Sequence, residues 1–326
     1  MTSRLKTGVK NILAGMVASL PWGVRQRIFE ELLERHAIPH DMRYDALVRL
    51  AAACNVEDLA VRGESGLIRG SARDVSILKQ YALRHVWAGR TIGFCERFFA
   101  GSGGTYIDVG ANIGLTVIPI GKLPGVRCIG IEAEPRNFGY LEENVAQSGI
   151  ADRAVLRHLA VFSRPTTIDL EIATSNLGDH RIRVGAEKVA LQGEDRRNTV
   201  TVAARPLDDI IGEIDPAYAC LDGRLAVKID VQGAEPFVFE GGRRVLGGAG
   251  LVIVEYSPYC MARMQADPEK ILGLLQAHFT SVQLGQQEED APTPPMPAAE
   301  ACAYLRRFSD DNAKNPNAYL DIIAVR

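Results

Sequence analysis

The sequence predicts an α/β protein, an open and mostly parallel β-sheet with helices on both faces. Three observations carry this. Short apolar runs of strand length (106–109, 126–131, 154–159, 225–229 and 251–254) alternate with stretches of helical spacing. The first run, Tyr106-Ile107-Asp108-Val109, ends in a glycine-rich turn, Gly110-Ala111-Asn112-Ile113-Gly114, and a helical pattern opens at Ile113. Acids stand at the ends of the second, fourth and fifth runs: Glu132 and Glu134, Asp230, and Glu255. Ligands of open α/β sheets lie beyond the carboxyl ends of the strands, so the site is expected among these residues.

The turn lets a ligand approach the main chain where no Cβ stands in the way, and the helix after it points free N–H groups into the gap. It is not a dinucleotide or P-loop turn. Asn112 stands where a G-x-G-x-x-G pattern needs glycine, and no Gly-Lys-Ser/Thr follows. Asp108, two residues before Gly110, would repel a pyrophosphate and attract an ammonium or a sulfonium. This favours S-adenosylmethionine over NAD as cofactor. Glu134 lies 20 residues after Gly114 at the tip of the second strand, where a carboxylate holds a ribose diol in nucleotide-binding βαβ units.

Ile107–Gly114 (IDVGANIG), Glu134-Pro135, Asn144 and above all Lys228–Glu235 (KIDVQGAE) resemble the FkbM family of S-adenosylmethionine-dependent methyltransferases. The resemblance covers about residues 100–257. It departs at Gln232, where the family usually has Glu. It implies a class I methyltransferase (Rossmann-like) fold with a seven-stranded, mostly parallel sheet, and methylation of a hydroxyl on a sugar, glycan or natural product. It also implies that Ala160 and Val161, at the tip of the third strand, border the adenine, and it favours Glu134 over Glu132 for the ribose. The cofactor-binding set is then Asp108, Gly110, Ala111, Asn112, Gly114, Glu134, Pro135, Ala160, Val161 and Asp230.

The chain has 326 residues, 47% hydrophobic and 24% charged, an ordinary globular composition with room for one large domain and an appendage. A net charge of −3 argues against a nucleic-acid partner, because no basic tract neutralises phosphates. The six cysteines form no C-x-x-C pair and read as buried, reduced thiols of a cytoplasmic protein. No apolar run reaches the ~18 residues of a membrane span.

Residues 1–64 read as an N-terminal helical module and 65–326 as the cofactor-binding domain. Leu5, Val9, Ile12, Met16 and Leu20 recur on one helix face, among Arg4, Lys6 and Lys10. Such a basic amphipathic helix packs on the main domain or on a second subunit, or lies on an anionic membrane surface at the inner face. Helical spacing also marks 25–36 and 44–54. Gly66–Arg69 reads as a strand, and 71–87 as one helix with Ser71 as N-cap and Asp74 at its third position. Further helices are expected at 91–100, 137–148, 206–214 and 268–278, and further strands at 166–172, 198–203, 281–284 and 319–325. The polar stretch 174–195 reads as an excursion over the site, with Asn176 and His180 as candidates. Residues 288–299 read as an exposed loop.

Methyl transfer to an alcohol needs alignment and a base for the hydroxyl proton. The candidates are Asp230, ranked first, then Glu235, Glu255 and His180. Lys228 shares the strand face of Asp230 by alternation and reads as structural, or as a partner to a rim acid. Glu235 opens a helix and reads equally as its cap. Asp230, Glu235 and Glu255 are also a carboxylate set of the kind that suits magnesium, but no metal is assigned. Two other readings stand beside the enzyme: an NAD-type oxidoreductase, against which Asn112 and Asp108 argue, and a non-catalytic assembly protein using residues 1–60 as its surface, hinted at by Gln232.

Overall fold

The computed structural model describes residues 19–21, 23–25, 27, 40–174, 176–184, 197–217, 224–286 and 291–326. The basic stripe from Leu5 to Met16, most of 25–36, and residues 185–195 of the excursion lie outside them. The chain divides into two compact units, Met1–Trp87 with Thr174–Gly178, and Ala88–Ala173 with Asp179–Arg326.

In the first unit, helix α1 (His40–Ala53) is followed by a hairpin of β1 (Asp58–Gly63) and β2 (Gly66–Ser71), and then by α2 (Ile77–Arg84). Leu47 and Ala51 of α1 pack against Ala72, and Tyr44 donates its hydroxyl to the Asp74 carbonyl at 2.9 Å. The expected helix over 71–87 is shorter. Gly70 and Ser71 pair with Leu59 and Asp58 across the hairpin, so the helix cannot begin at Ser71. Asp74 still caps it, accepting N–H bonds from Ser76, Ile77 and Leu78 at 2.8–3.1 Å. β1 falls in a stretch read as helical. Residues 64 and 65, the expected domain boundary, are the turn of this hairpin.

The second unit opens with α3 (Gly89–Phe99) and β3 (Gly104–Val109). Then come α4 (Val117–Gly121), β4 (Val126–Glu132), α5 (Pro135–Gln147), β5 (Ala154–His158), β6 (Ala160–Val161), β7 (Thr166–Glu171), β8 (Arg181–Ile182), β9 (Thr199–Arg205) and α6 (Leu207–Ile214). After β10 (Leu225–Ile229) follow α7 (Glu235–Gly241), α8 (Arg243–Gly248), β11 (Leu251–Tyr256), α9 (Pro258–Arg263) and α10 (Glu269–His278). The chain closes with β12 (Ser281–Gly285), β13 (Met296–Pro297), α11 (Ala298–Asn312) and β14 (Leu320–Val325).

The main sheet runs β13-β12-β14-β11-β10-β3-β4-β5. β5, β4, β3, β10 and β11 are parallel, and β14 is antiparallel to both β11 and β12. Without the two-residue β13 these are the seven strands expected, with the last strand antiparallel beside its neighbour. The order reverses between β3 and β10, which puts their carboxyl ends at the switch point of the sheet. A second sheet, β6-β9-β7-β8, lies beside it.

β10 is buried at Leu225, Ala226, Val227 and Ile229, as a central strand covered on both faces must be. Its core is shared with Ile107 and Val109 of β3, Val252 and Val254 of β11, and Leu272 and Leu275 of α10. Burying each such side chain contributes about 1.5–3 kcal/mol.

Two further expectations are corrected. The helix after the glycine turn starts at Val117, not Ile113, because φ is positive at Gly110, Asn112 and Gly114 and the chain needs residues 110–116 to complete the turn. Residues 298–299 are not loop but the start of α11. Ala298, Ala301, Cys302 and Leu305 recur at helical spacing, and all four are buried. The five cysteines among the described residues are free and buried, and Cys220 lies outside them. Among the described residues no helix is long and apolar enough to cross a membrane.

Candidate active site

The glycine turn is tied to both neighbouring strands. Gly110 and Ala111 donate their N–H groups to the Ile131 carbonyl of β4, and Asp230 donates its own to the Val109 carbonyl of β3. A Cβ on Gly110 would stand 2.0 Å from the Asp230 carbonyl oxygen, and φ there is +85°, so only glycine fits. Asn112 accepts from the Ile113 N–H through its own side chain, which steadies a left-handed residue. Asn144 of α5 donates to the Ile113 carbonyl at 2.9 Å, which explains a buried polar residue in the family-like pattern.

The acids of the β4 tip are committed to main chain. Glu132 accepts from the N–H groups of Asn112 and Glu134, each at 2.8 Å. Burial pushes its carboxyl up to about 7, against the pull of those two N–H groups. Glu134 is the N-cap of α5 and accepts from the Asn137 N–H at 2.6 Å through Oε2, with Pro135 as the first helical residue.

Asp108 does not face the turn. It is fully buried beneath it and accepts from the hydroxyls of Thr116 and Tyr106 and, at 3.2 Å, from Lys228 Nζ. Burial lifts its carboxyl above the usual range, while Lys228 and Thr116 act against that. These partners engage both carboxylate oxygens of Asp108. Lys228 also reaches Asp230 Oδ2 at 3.7 Å. Burial alone would lower the lysine, but the Asp108 and Asp230 carboxylates raise it above its ordinary value, so it stays charged.

Across the switch point, Asp230, Glu235 and Glu255 converge, each with a carboxylate oxygen within 4.8 Å of the others. They are held differently. Glu235 is 1% exposed and closes the 230–234 turn, accepting from Val231 N–H and Gly233 N–H, both at 2.9 Å. Both its oxygens accept main-chain N–H groups, as a cap's would. Burial pushes it up to about 7. Glu255 is raised well above its ordinary value by burial and by the Asp230 and Glu235 carboxylates. Asp230 has 37% of its side chain exposed. Gln232, read in the sequence only as a departure from the family, donates Nε2 to Asp230 Oδ1 at 3.0 Å and to Glu255 Oε1 at 2.9 Å.

His180 accepts the Ala173 N–H on Nδ1 at 3.1 Å, so the neutral ring carries its proton on Nε2. Nε2 is buried with no hydrogen-bond partner among the described residues, and burial lowers the ring's basicity while Glu134 and Asp179 act the other way. The segment is pinned by Asp179, which binds Arg181 at 2.5 Å and Arg197 at 2.7 Å. Asn176 closes its own turn onto Gly178 N–H. Ala160 and Val161 form β6. Ala160 packs with Ile168, Val202 and Ala204 of the small sheet, and Val161 belongs to the main core.

Residues 108–281, more than half of the chain, match the methyltransferase FkbM domain. The chain belongs to the FkbM methyltransferase family. The resemblance read from the glycine turn and from Lys228–Glu235 is thereby borne out, and the protein is an S-adenosylmethionine-dependent methyltransferase with a class I fold. No curated protein matches the sequence. Among solved structures, a geranyl diphosphate methyltransferase in complex with SAM is similar at 12% identity, covering 91% of this chain and 94% of that one with a TM-score of 0.38. A precorrin-6y C5,15-methyltransferase from Geobacter metallireducens is similar at 10% identity, covering 73% and 88%, with a TM-score of 0.31.

Proposed function

We propose that this methyltransferase transfers a methyl group to a hydroxyl of a sugar, glycan or natural product, with Asp230 as the base. The observation that carries the reading is the asymmetry of the rim. Asp230 keeps a partly exposed carboxylate held only by side chains, whereas both oxygens of Glu235 are taken by main-chain N–H groups.

Two features fit a nucleoside cofactor on the β3–β4 side. The turn from Gly110 to Gly114, at the carboxyl end of β3, takes its shape from glycines at positive φ. The Nε2 hydrogen of His180, which has no partner among the described residues, lies in the field of the Glu134 carboxylate. A ribose hydroxyl would accept that hydrogen while the diol donates to Glu134. Ala160 and Val161 would border the adenine. When bound, S-adenosylmethionine supplies a methyl carbon made electrophilic by its sulfonium.

Asp230 would orient the acceptor hydroxyl and take its proton on the carboxylate. Lys228, held charged between two carboxylates, sets a positive charge 3.7 Å from Asp230 Oδ2. Glu255, raised well above its ordinary value by burial and by the Asp230 and Glu235 carboxylates, is the weaker candidate for base.

The test is release of S-adenosylhomocysteine in the presence of polyols, glycosides and, as contrast, amines. Hydroxyl acceptors should support turnover. Asp230→Asn should lose about 10²–10⁴ in rate, the usual contribution of a general base, while keeping its affinity for S-adenosylmethionine. Undiminished turnover in Asp230→Asn would sink the assignment.

A further inference from the structure

We infer that Gln232 is the positioning residue of the acid rim: its one side-chain amide bridges Asp230 and Glu255 and does there the work that a divalent cation does in other carboxylate clusters. The inference deepens the proposed function, since it concerns how the proposed base is held.

Three carboxylates this close repel unless something lies between them. The remedies are a shared proton, a cation or a hydrogen-bond donor. Here a donor is in place. The amide nitrogen of Gln232 has two hydrogens, and its two acceptors are Asp230 Oδ1 and Glu255 Oε1 on neighbouring strands.

The backbone is shaped to deliver it. Gln232 has φ +54°, a conformation that side-chain-bearing residues seldom adopt. Gly233 follows at φ +104°, and a Cβ there would meet the Cys260 carbonyl oxygen at 2.6 Å. Glu235 fastens the same turn through Val231 and Gly233. A strained residue held by its neighbours points to a function for its side chain. Lys228 already supplies a fixed positive charge on the other side of Asp230, which disfavours a second cation at the rim. A glutamate at 232, as the family resemblance expects, would bring a further carboxylate and no donor hydrogen once ionised.

The charged groups around the pair are Lys228 on β10, Asp108 on β3, Glu235 on α7, and Asp321 on β14 with its partner Arg90 on α3. None of them changes when only residue 232 is replaced.

The experiment is thermal unfolding of the full chain, wild type against Gln232→Glu and Gln232→Met, at acid and alkaline pH, with and without millimolar manganese. Glu keeps the shape of Gln but donates only while protonated. Its folded-state pKa is raised among like charges, so its contribution is present at low pH and lost as pH rises. Gln232→Glu should therefore melt near wild type at about pH 5 and lower at about pH 8, the gap widening by roughly 2 °C or more. Gln232→Met, which never donates, should show a gap that also widens with pH as Glu255 loses its proton beside Asp230. Wild type should not respond to manganese. Equal gaps at both pH values in a folded variant, or saturable stabilisation of wild type by manganese, would overturn the inference. Titration with S-adenosylmethionine in parallel separates the two readings: absence of binding by wild type counts against the proposed function and leaves the unfolding result readable.

Discussion

The tips of β4 and β10 carry the same kind of residue and use it differently. At the β4 tip Glu132 and Glu134 accept from backbone N–H groups and fix the glycine turn and the start of α5. At the β10 tip Asp230 accepts from the side chains of Gln232 and Lys228 and is partly open, and Glu255 of the neighbouring β11 shares the Gln232 amide. Main-chain partners cannot leave without unfolding a turn, whereas side-chain partners can exchange with a substrate. The difference separates acids bound to main chain from the acid proposed as base. Glu235 makes the point within one cluster: it sits among the rim acids yet is bound to main chain.

The comparison breaks most visibly at Lys228, which joins β10 to Asp108 of β3 beneath the glycine turn. Lys228→Met leaves Asp108 buried beneath the turn without its cation. The variant should lose about 3–5 kcal/mol, the cost of stranding one partner of a buried pair, measured by urea unfolding. Glu235→Ala leaves two N–H groups of the 230–234 turn without acceptors and should cost about 2–3 kcal/mol in the same assay. Asp230→Asn should leave the melting temperature close to wild type, since its carboxylate is partly solvated, while turnover falls as stated above.

The pH dependence follows from Glu132 and Glu235. Both are raised from 4.5 to about 7 in the folded protein. Their raised values mean that the ionised form is disfavoured by folding. Their contribution to stability is full below about 4.5 and is lost as pH rises through about 7. The protein should melt at a higher temperature at pH 5.5 than at pH 8. His180→Ala should have the smallest effect, a loss of about 3–10-fold in cofactor affinity, the worth of one hydrogen bond, with the fold intact.

Much of the second unit was legible. β3, β4, β10 and β11 announce themselves as short apolar runs ending in glycine or an acid, because a central strand is buried on both faces. The pairing of glycine turn and β4-tip acid was legible too, but not which acid does what. Spacing cannot tell that Glu132 reaches back to Asn112 N–H while Glu134 caps α5. Nor could the sequence see that Asp108 lies under the turn, since alternation gives a side and not a depth. The helix α11 was missed although its signal, Ala298, Ala301, Cys302 and Leu305, is regular; the prolines before it read as loop. Gln232 stood out only as an unexpected residue. Its importance rests on a positive φ that adjacency to Gly233 hints at and only coordinates reveal.

The most direct test is calorimetric titration of the purified chain with S-adenosylmethionine, with NAD as control, in wild type, Asp230→Asn and Glu134→Gln. Wild type and Asp230→Asn should bind S-adenosylmethionine saturably and with like affinity, Glu134→Gln more weakly, and none should bind NAD. Loss of binding in Asp230→Asn with full binding in Glu134→Gln would reverse the roles of the two tips and contradict the account.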